Sequence, residues 1–170
     1  MLLDRVLEGA ASAGARTAKV ILNELDFVPC QECEDLKDDG SCKIEDELQP
    51  VYDQINEADV LILASPVFFG SVSAQTKMMI DRFQCLWRAK FILETVRSEE
   101  LKKGAFICVE ASDREDFFDN ARSIVKNFFK TTGFSYDDEI MCPGVENKGD
   151  VAKFPEVMEK AFKMGEVLGS

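Results

Sequence analysis

Six cysteines and no histidine define much of the side-chain chemistry open to this 170-residue chain. Without histidine there is no imidazole for a Ser–His–Asp triad, a His-ligated zinc or acid–base catalysis near neutral pH. Cys30 and Cys33 form a Cys-x-x-Cys pair, and Cys42 follows in the same polar segment. This spacing leaves three interpretations open: free thiols in a loop, ligands of a metal or iron–sulfur cluster, or a redox dithiol.

A second candidate for chemistry is the segment 65–70, Ser-Pro-Val-Phe-Phe-Gly, which follows the most apolar run of the chain. Pro66 fixes its own φ and biases Ser65 toward extended conformations, and Gly70 allows a ligand to approach the main chain closely. Two consecutive phenylalanines after a buried strand would suit contact with a flat, partly buried ring. The alternative is that Phe68 and Phe69 pack beneath neighbouring helices.

The hydrophobic pattern that must position these residues alternates between helix and strand. Strands are predicted at Thr17–Leu22, Val60–Ala64, Ala105–Val109 and Glu139–Met141. Helices are predicted within residues 2–13, from Leu48 to Ala58, from Ser73 to Trp87, around Phe117–Phe129 and within residues 157–168. Short buried strands between amphipathic helices predict βαβ units, and hence one α/β domain over residues 1–170 with a doubly wound parallel sheet covered by helices on both faces.

The charge and hydropathy of the chain limit the classes of partner that it is expected to bind. The net charge of −12, without clusters of Lys or Arg, argues against nucleic acid or an anionic membrane surface as a partner. No apolar run is long enough to span a membrane, and the first residues do not resemble a signal peptide. The sequence therefore predicts a cytoplasmic protein, in which cysteines are thiols or metal ligands rather than disulfides.

Residues 58–83, ADVLILASPVFFGSVSAQTKMMIDRF, resemble the core signature of the flavodoxin-like NADPH-dependent FMN reductases and iron–sulfur flavoproteins. The order of an apolar strand, Ser-Pro-x-aromatic-x-Gly, Lys77 and the pair Asp81-Arg82 carries the resemblance. Segments 27–48 and 142–168 are similar to flanking regions of the same families. The resemblance implies an FMN-dependent oxidoreductase with NAD(P)H as the electron donor and a small molecule or redox protein as the acceptor.

The same resemblance implies where FMN would bind. Backbone groups of the Ser-Pro-x-aromatic-x-Gly loop would meet the isoalloxazine ring, and the loop after the next strand would border the other edge of the ring. The cofactor-binding residues expected on this basis are Ser65, Pro66, Val67, Phe68, Phe69, Gly70, Ala111, Ser112 and Asp113. No catalytic acid–base side chain is expected, because the flavin itself accepts the hydride.

The chain departs from the family pattern in two places. Residues 1–14 match the first helix of the family, so the first strand and the Gly/Ser-rich phosphate loop are expected to be missing. A missing central strand would leave unpaired strand edges, which predicts a homodimer or a higher homo-oligomer. Leu36 stands where a third closely spaced cysteine is expected, so Cys30, Cys33 and Cys42 are one short of the four thiolates of a usual cluster.

Two other functions therefore remain open at this stage. One is a metal-binding or iron–sulfur electron carrier that uses the three cysteines of the polar segment. The other is a non-catalytic domain that keeps the fold but has lost FMN binding.

Overall fold

A computed structural model describes residues 1–33, 37–96, 101–112 and 114–170, apart from the side chain of Glu115. The elements follow one another as α1 (Leu2–Ser12), a 3₁₀ turn (Leu22–Glu24), α2 (Gln49–Glu57), β1 (Val60–Phe68), β2 (Ser71–Val72), α3 (Ala74–Asp81), α4 (Gln84–Phe91), β3 (Lys103–Val109), α5 (Glu115–Thr132), β4 (Asp138–Cys142), a second 3₁₀ turn (Asp150–Lys153) and α6 (Pro155–Leu168). No helix in these ranges is long and apolar enough to cross a membrane.

The sheet has the strand order β2-β1-β3-β4. Strands β1, β3 and β4 run parallel, and the two-residue strand β2 pairs antiparallel with the end of β1. The register places Val60 opposite Lys103 and Pro66 opposite Val109, so the carboxyl ends of β1 and β3 meet at one edge. Strands β1 and β3 contain the apolar runs 60–64 and 105–109 of the sequence, a pattern typical of strands covered on both faces.

Helices cover both faces of the sheet, as predicted. On one face α2, α3 and α5 bury a core that includes Ile55, Met79, Phe106, Phe118, Val125 and Phe128. On the other face α1 and α6 bury a core that includes Val6, Ala105, Ile107, Ile140, Ala161 and Met164. Helices α1 and α6 touch through glycines, since a Cβ added to Gly165 would lie 2.0 Å from the carbonyl oxygen of Val6. The expectation of an α/β fold with a parallel sheet is confirmed.

The prediction of a strand at Thr17–Leu22 is wrong. Residues 15–21 pair with no strand among the described residues, and Leu22 begins a 3₁₀ turn. The sequence of this segment suits a strand, but a strand needs a hydrogen-bonded neighbour, and none of the four strands of the sheet lies beside it. A side-chain pattern alone does not supply that neighbour.

Two other boundaries differ from the predictions. The helix predicted from Ser73 to Trp87 is two helices, α3 and α4, separated by Arg82 and Phe83. The N–H of Phe83 bonds to the carbonyl of Ile80, which tightens the last turn, and the carbonyl of Arg82 accepts the hydroxyl of Tyr52 at 3.0 Å instead of continuing the helix. Strand β1 also extends through Phe68 rather than ending at Ala64.

Candidate flavin site

The segment 65–70 forms the end of a strand and a hairpin turn rather than an irregular loop. After β1, residues Phe69 and Gly70 reverse the chain, so that Phe68 pairs with Ser71 of β2. Their φ angles are 51° and 72°, which defines a two-residue turn with both central residues in the left-handed region. Such a conformation costs a non-glycine residue about 1–2 kcal/mol, so Phe69 holds a strained backbone at the carboxyl edge of the sheet.

Both aromatic side chains of this turn lie in solvent. Phe68 is 61 % exposed and Phe69 is fully exposed. The alternative that these two rings pack beneath helices is therefore wrong. Adjacent exposed aromatic rings at the carboxyl ends of parallel strands offer the apolar surface that a planar ligand can cover.

Hydrogen bonds of Ser65 hold the end of β1 that leads into the turn. The buried Ser65 hydroxyl donates to the carbonyl of Pro66 at 2.9 Å and accepts the N–H of Ser73 at 2.9 Å. Ser73 in turn caps α3 by accepting the N–H of Thr76. The side chain of Ser65 is thus occupied by the protein itself, so this residue can face a ligand only through its backbone.

Helix α5 holds the turn from the other side. A Cβ added to Gly70 would lie 3.0 Å from the ring of Phe117, and the amide of Asn120 donates to the Gly70 carbonyl at 2.5 Å. The guanidinium of Arg114 lies 4.1 Å from the centroid of the same Phe117 ring and pairs with Asp116. The position of the turn is therefore fixed by packing, and a side chain at residue 70 would be in tight contact with the ring of Phe117.

The second predicted edge of the site follows β3. Ala111 and Ser112 are exposed immediately after this strand, and Asp113 lies outside the described residues. Because Pro66 pairs with Val109, the structure brings residues 67–70 and 110–112 to the same edge of the sheet.

Glu110 is a residue of this edge that the sequence analysis missed. Its side chain is only 5 % exposed; Oε1 accepts the Ser112 hydroxyl, and Oε2 is buried without a hydrogen-bond partner among the described residues. A buried carboxylate oxygen without a donor is costly. The signal in the sequence was a glutamate directly after the apolar run 105–109.

The three cysteines proposed as metal ligands are all partly exposed. Among the residues with described positions, no group of three or more Cys, Asp or Glu is placed to hold a metal ion. The Nε of Arg82 lies 3.3 Å from the sulfur of Cys42. Burial alone would raise the pKa of the Cys42 thiol, but hydrogen bonds from the backbone at Ile44 and from Arg82 outweigh it and lower that pKa.

Arg82 is the centre of a buried polar cluster that attaches the cysteine segment to α3. Its fully buried guanidinium donates to both carboxylate oxygens of Asp46, at 2.6 and 3.3 Å. It also donates to the carbonyls of Val28 and Ile44, at 2.9 and 3.2 Å. The two adjacent residues Asp81 and Arg82 therefore have different environments. Arg82 is buried, whereas Asp81 forms a half-exposed ion pair with Lys77. Such a surface pair contributes a few tenths of a kcal/mol at most.

A parallel sheet with helices on both faces is the architecture of a flavodoxin-like protein. The family of NADPH-dependent FMN reductases matches residues 1–114, and the chain belongs to that family. This membership confirms the resemblance carried by residues 58–83.

The chain is also similar to curated proteins that are named iron–sulfur flavoproteins. An iron–sulfur flavoprotein of Methanocaldococcus jannaschii is 35 % identical over 129 residues, which are 76 % of this chain and 63 % of that protein. An iron–sulfur flavoprotein of Methanosarcina thermophila is 31 % identical over 103 residues, covering 61 % of this chain and 54 % of the relative. These alignments cover less than two thirds of the length of either relative.

Solved structures share the fold at low sequence identity. A flavone reductase superposes with a TM-score of 0.72 and 18 % identity, covering 99 % of this chain and 56 % of the other. An NAD(P)H:quinone oxidoreductase from Methanothermobacter marburgensis gives a TM-score of 0.71 and 16 % identity, covering 99 % and 87 %. At this identity the likeness establishes the flavodoxin-like fold alone.

Proposed function

We propose that the chain is the FMN-binding part of an NAD(P)H-dependent oxidoreductase, with the isoalloxazine ring held at the turn 66–70. The observation that carries the proposal is the pair of exposed rings, Phe68 and Phe69, on a strained backbone at the carboxyl edge of the sheet. Membership in the FMN reductase family supports FMN as the ligand. A strained, exposed aromatic turn without such a ligand would cost stability for no structural gain.

The residues of this edge fit the ring of a flavin. Phe68 and Phe69 would cover its apolar part, and the backbone N–H groups of Phe69 and Gly70 have no partner among the described residues and can donate to its carbonyls. The unpartnered Oε2 of Glu110 would accept a ring N–H, while Ser112 holds the other oxygen of that carboxylate. Bound FMN would supply hydride acceptance from the nicotinamide and electron transfer to an acceptor.

A titration of the purified protein with FMN tests the proposal. We expect saturable quenching of flavin fluorescence at one FMN per chain, and loss of the oxidised flavin spectrum when NADPH or NADH is added anaerobically. Riboflavin is expected to bind within about tenfold of FMN (about 1.4 kcal/mol), because the assigned contacts are all to the ring. Absence of saturation with FMN up to millimolar concentration would contradict the proposal.

An iron–sulfur electron carrier is the second candidate, because the curated relatives are named iron–sulfur flavoproteins. Cys30, Cys33 and Cys42 supply three thiolates where a cluster usually takes four. Arg82 also already donates to Cys42. We therefore propose that the purified protein contains flavin without a stoichiometric cluster. Iron and zinc contents above about one metal per three chains, after anaerobic purification, would favour the second candidate.

The electron acceptor, the oligomeric state and the location of the protein complete the proposal. We propose a small molecule or a redox protein as electron acceptor, a homodimer or higher homo-oligomer, and a cytoplasmic location. Exposed apolar side chains on α4 and after it, Trp87, Phe91 and Ile92, support self-association. Sedimentation of the purified protein tests the oligomeric state.

A further inference from the structure

The side chains of Cys42 and Cys85 lie next to each other, although the two residues are far apart in the sequence. Both sulfur atoms contact Arg82: its Nε donates to the sulfur of Cys42 at 3.3 Å, and the thiol of Cys85 donates to its carbonyl at 3.4 Å. Burial raises the pKa of the Cys85 thiol to about 11, and both the charge of Cys42 and a hydrogen bond with its side chain add to this rise. The two sulfur atoms are therefore neighbours.

The packing of the backbone also brings the two residues together. A Cβ added to Gly40 would lie 3.1 Å from the Cα of Leu86 and 3.2 Å from the Cβ of Ala89, so the chain at residue 40 lies directly on α4. Cys85 is the second residue of that helix. A disulfide requires such close packing, because its two Cα atoms lie within about 7 Å of each other.

The two thiols differ in their access to solvent. Cys42 is partly exposed, whereas Cys85 is only 4 % exposed. The guanidinium of Arg82 beside the sulfur of Cys42 creates the electropositive, partly exposed environment in which reactive thiols are found. A dissolved oxidant therefore reaches Cys42 first, and Cys85 is positioned to react with a group formed on Cys42.

We propose that Cys42 and Cys85 are a peroxide-reactive thiol pair, in which Cys42 is oxidised first and Cys85 then closes a disulfide with it. The thiol of Cys42 attacks one oxygen of hydrogen peroxide and the O–O bond breaks, which leaves a sulfenic acid on Cys42 and one water molecule. The sulfur of Cys85 attacks the sulfur of that sulfenic acid and the S–O bond breaks. The hydroxyl group leaves as water with the proton of the Cys85 thiol, so two thiols lose two electrons and two protons while one peroxide becomes two water molecules.

This inference goes beyond the proposed flavin chemistry and does not depend on it. The bond would attach the cysteine segment to α4 covalently. It would also take the sulfur of Cys42 away from Arg82 and from any metal. The two other buried cysteines have no such arrangement, because Cys108 and Cys142 belong to the cores on opposite faces of the sheet.

Peptide mapping of the whole chain after oxidation tests the proposal. The protein is treated with a small molar excess of hydrogen peroxide, and the remaining thiols are blocked with N-ethylmaleimide under denaturing conditions before digestion with trypsin. Cleavage after Lys and Arg separates the relevant cysteines into three peptides: Cys30 and Cys33 in 20–37, Cys42 in 38–43 and Cys85 in 83–88. We expect peptides 38–43 and 83–88 to be joined as the main linked species and to separate when dithiothreitol is added.

Cys85→Ser is the variant that isolates the first step. Its hydroxyl can still donate to the carbonyl of Arg82, so the variant is expected to fold with an unchanged circular dichroism spectrum. Because the sulfenic acid on Cys42 then has no neighbouring thiol, its labelling by dimedone is expected to rise about tenfold over wild type. Cys33→Ser is the matched control, since it removes a partly exposed thiol of the same segment and should leave the linked peptides and the labelling of Cys42 unchanged.

Three results would overturn the proposal. One is the absence of a linkage between peptides 38–43 and 83–88 after oxidation. Another is a main linkage of peptide 38–43 to peptide 20–37 or to the same peptide of a second chain. The third is equal labelling of Cys42 by dimedone in wild type and in Cys85→Ser.

Discussion

Replacing Arg82 with alanine is expected to lower the free energy of unfolding by about 3–5 kcal/mol, the usual cost of removing one partner of a buried ion pair. The Asp46 side chain, only 11 % exposed, would remain charged without its guanidinium. The carbonyls of Val28 and Ile44 would lose their donor as well. Urea unfolding followed by circular dichroism measures the loss.

Two further variants separate the buried pair from the general effect of removing an arginine. Arg88→Ala removes a guanidinium from the next helix, where the described residues give it no ion pair, and should change stability by less than about 0.5 kcal/mol. The double variant Arg82→Met with Asp46→Leu should recover at least half of the loss, because no uncompensated charge stays buried. If Arg82→Ala and Arg88→Ala shift the unfolding midpoint equally, the structural role assigned to Arg82 is wrong.

The same cluster predicts a pH dependence. Burial raises the pKa of Asp46, but hydrogen bonds from Arg82 and from the backbone of Val28 and Leu48 outweigh it, so the pKa in the folded state lies below its ordinary value. A carboxylate with a lowered pKa stabilises the fold above its unfolded pKa, and this contribution is lost as pH falls through the folded pKa. The stability difference between wild type and Arg82→Ala should therefore be full near pH 7 and shrink below about pH 4.

Replacing Gly70 with alanine is expected to weaken FMN binding at least tenfold. The residue has a φ of +72°, and a Cβ would lie 3.0 Å from the ring of Phe117, so either the turn or this ring must move. Movement of the turn would displace Phe68 and Phe69 from the positions proposed for ring binding. The backbone strain by itself should cost about 1–2 kcal/mol of stability. Fluorescence titration gives the dissociation constant, and urea unfolding gives the stability.

Gly149→Ala is the control for this variant. Gly149 has a φ of +98°, and a Cβ there would meet no heavy atom within 4 Å. It should therefore carry a similar backbone cost in stability, while FMN binding stays within twofold of wild type. Unchanged FMN binding in Gly70→Ala would remove the turn from the binding site.

The main elements of the fold could be predicted from the sequence, because burial on both faces leaves a local pattern. The apolar runs 60–64 and 105–109 became adjacent parallel strands, and the stripe from Phe117 to Phe129 became α5. Gly133, with a φ of +86°, ends that helix. In each case the residue pattern and the local backbone geometry agree.

Features that depend on distant parts of the chain could not be predicted in this way. Thr17–Leu22 has the composition of a strand, but its state is decided by whether a neighbour is present. The end of α3 at Arg82 is set by hydrogen bonds to residues 28–52, which no helical pattern reveals. The positive φ of Phe69 and the unpartnered oxygen of Glu110 likewise follow from the hairpin and from packing, not from residue type.

A crystal structure of the chain with FMN bound would test the central claim most directly. We expect the three-ring system within about 4 Å of the side chain of Phe68 or Phe69. Its polar edge should receive the N–H groups of residues 69 and 70, and Glu110 should lie within hydrogen-bonding distance of a ring nitrogen. A flavin bound elsewhere on the molecule, or side chains of the protein filling the space beside Pro66 in the complex, would contradict the account.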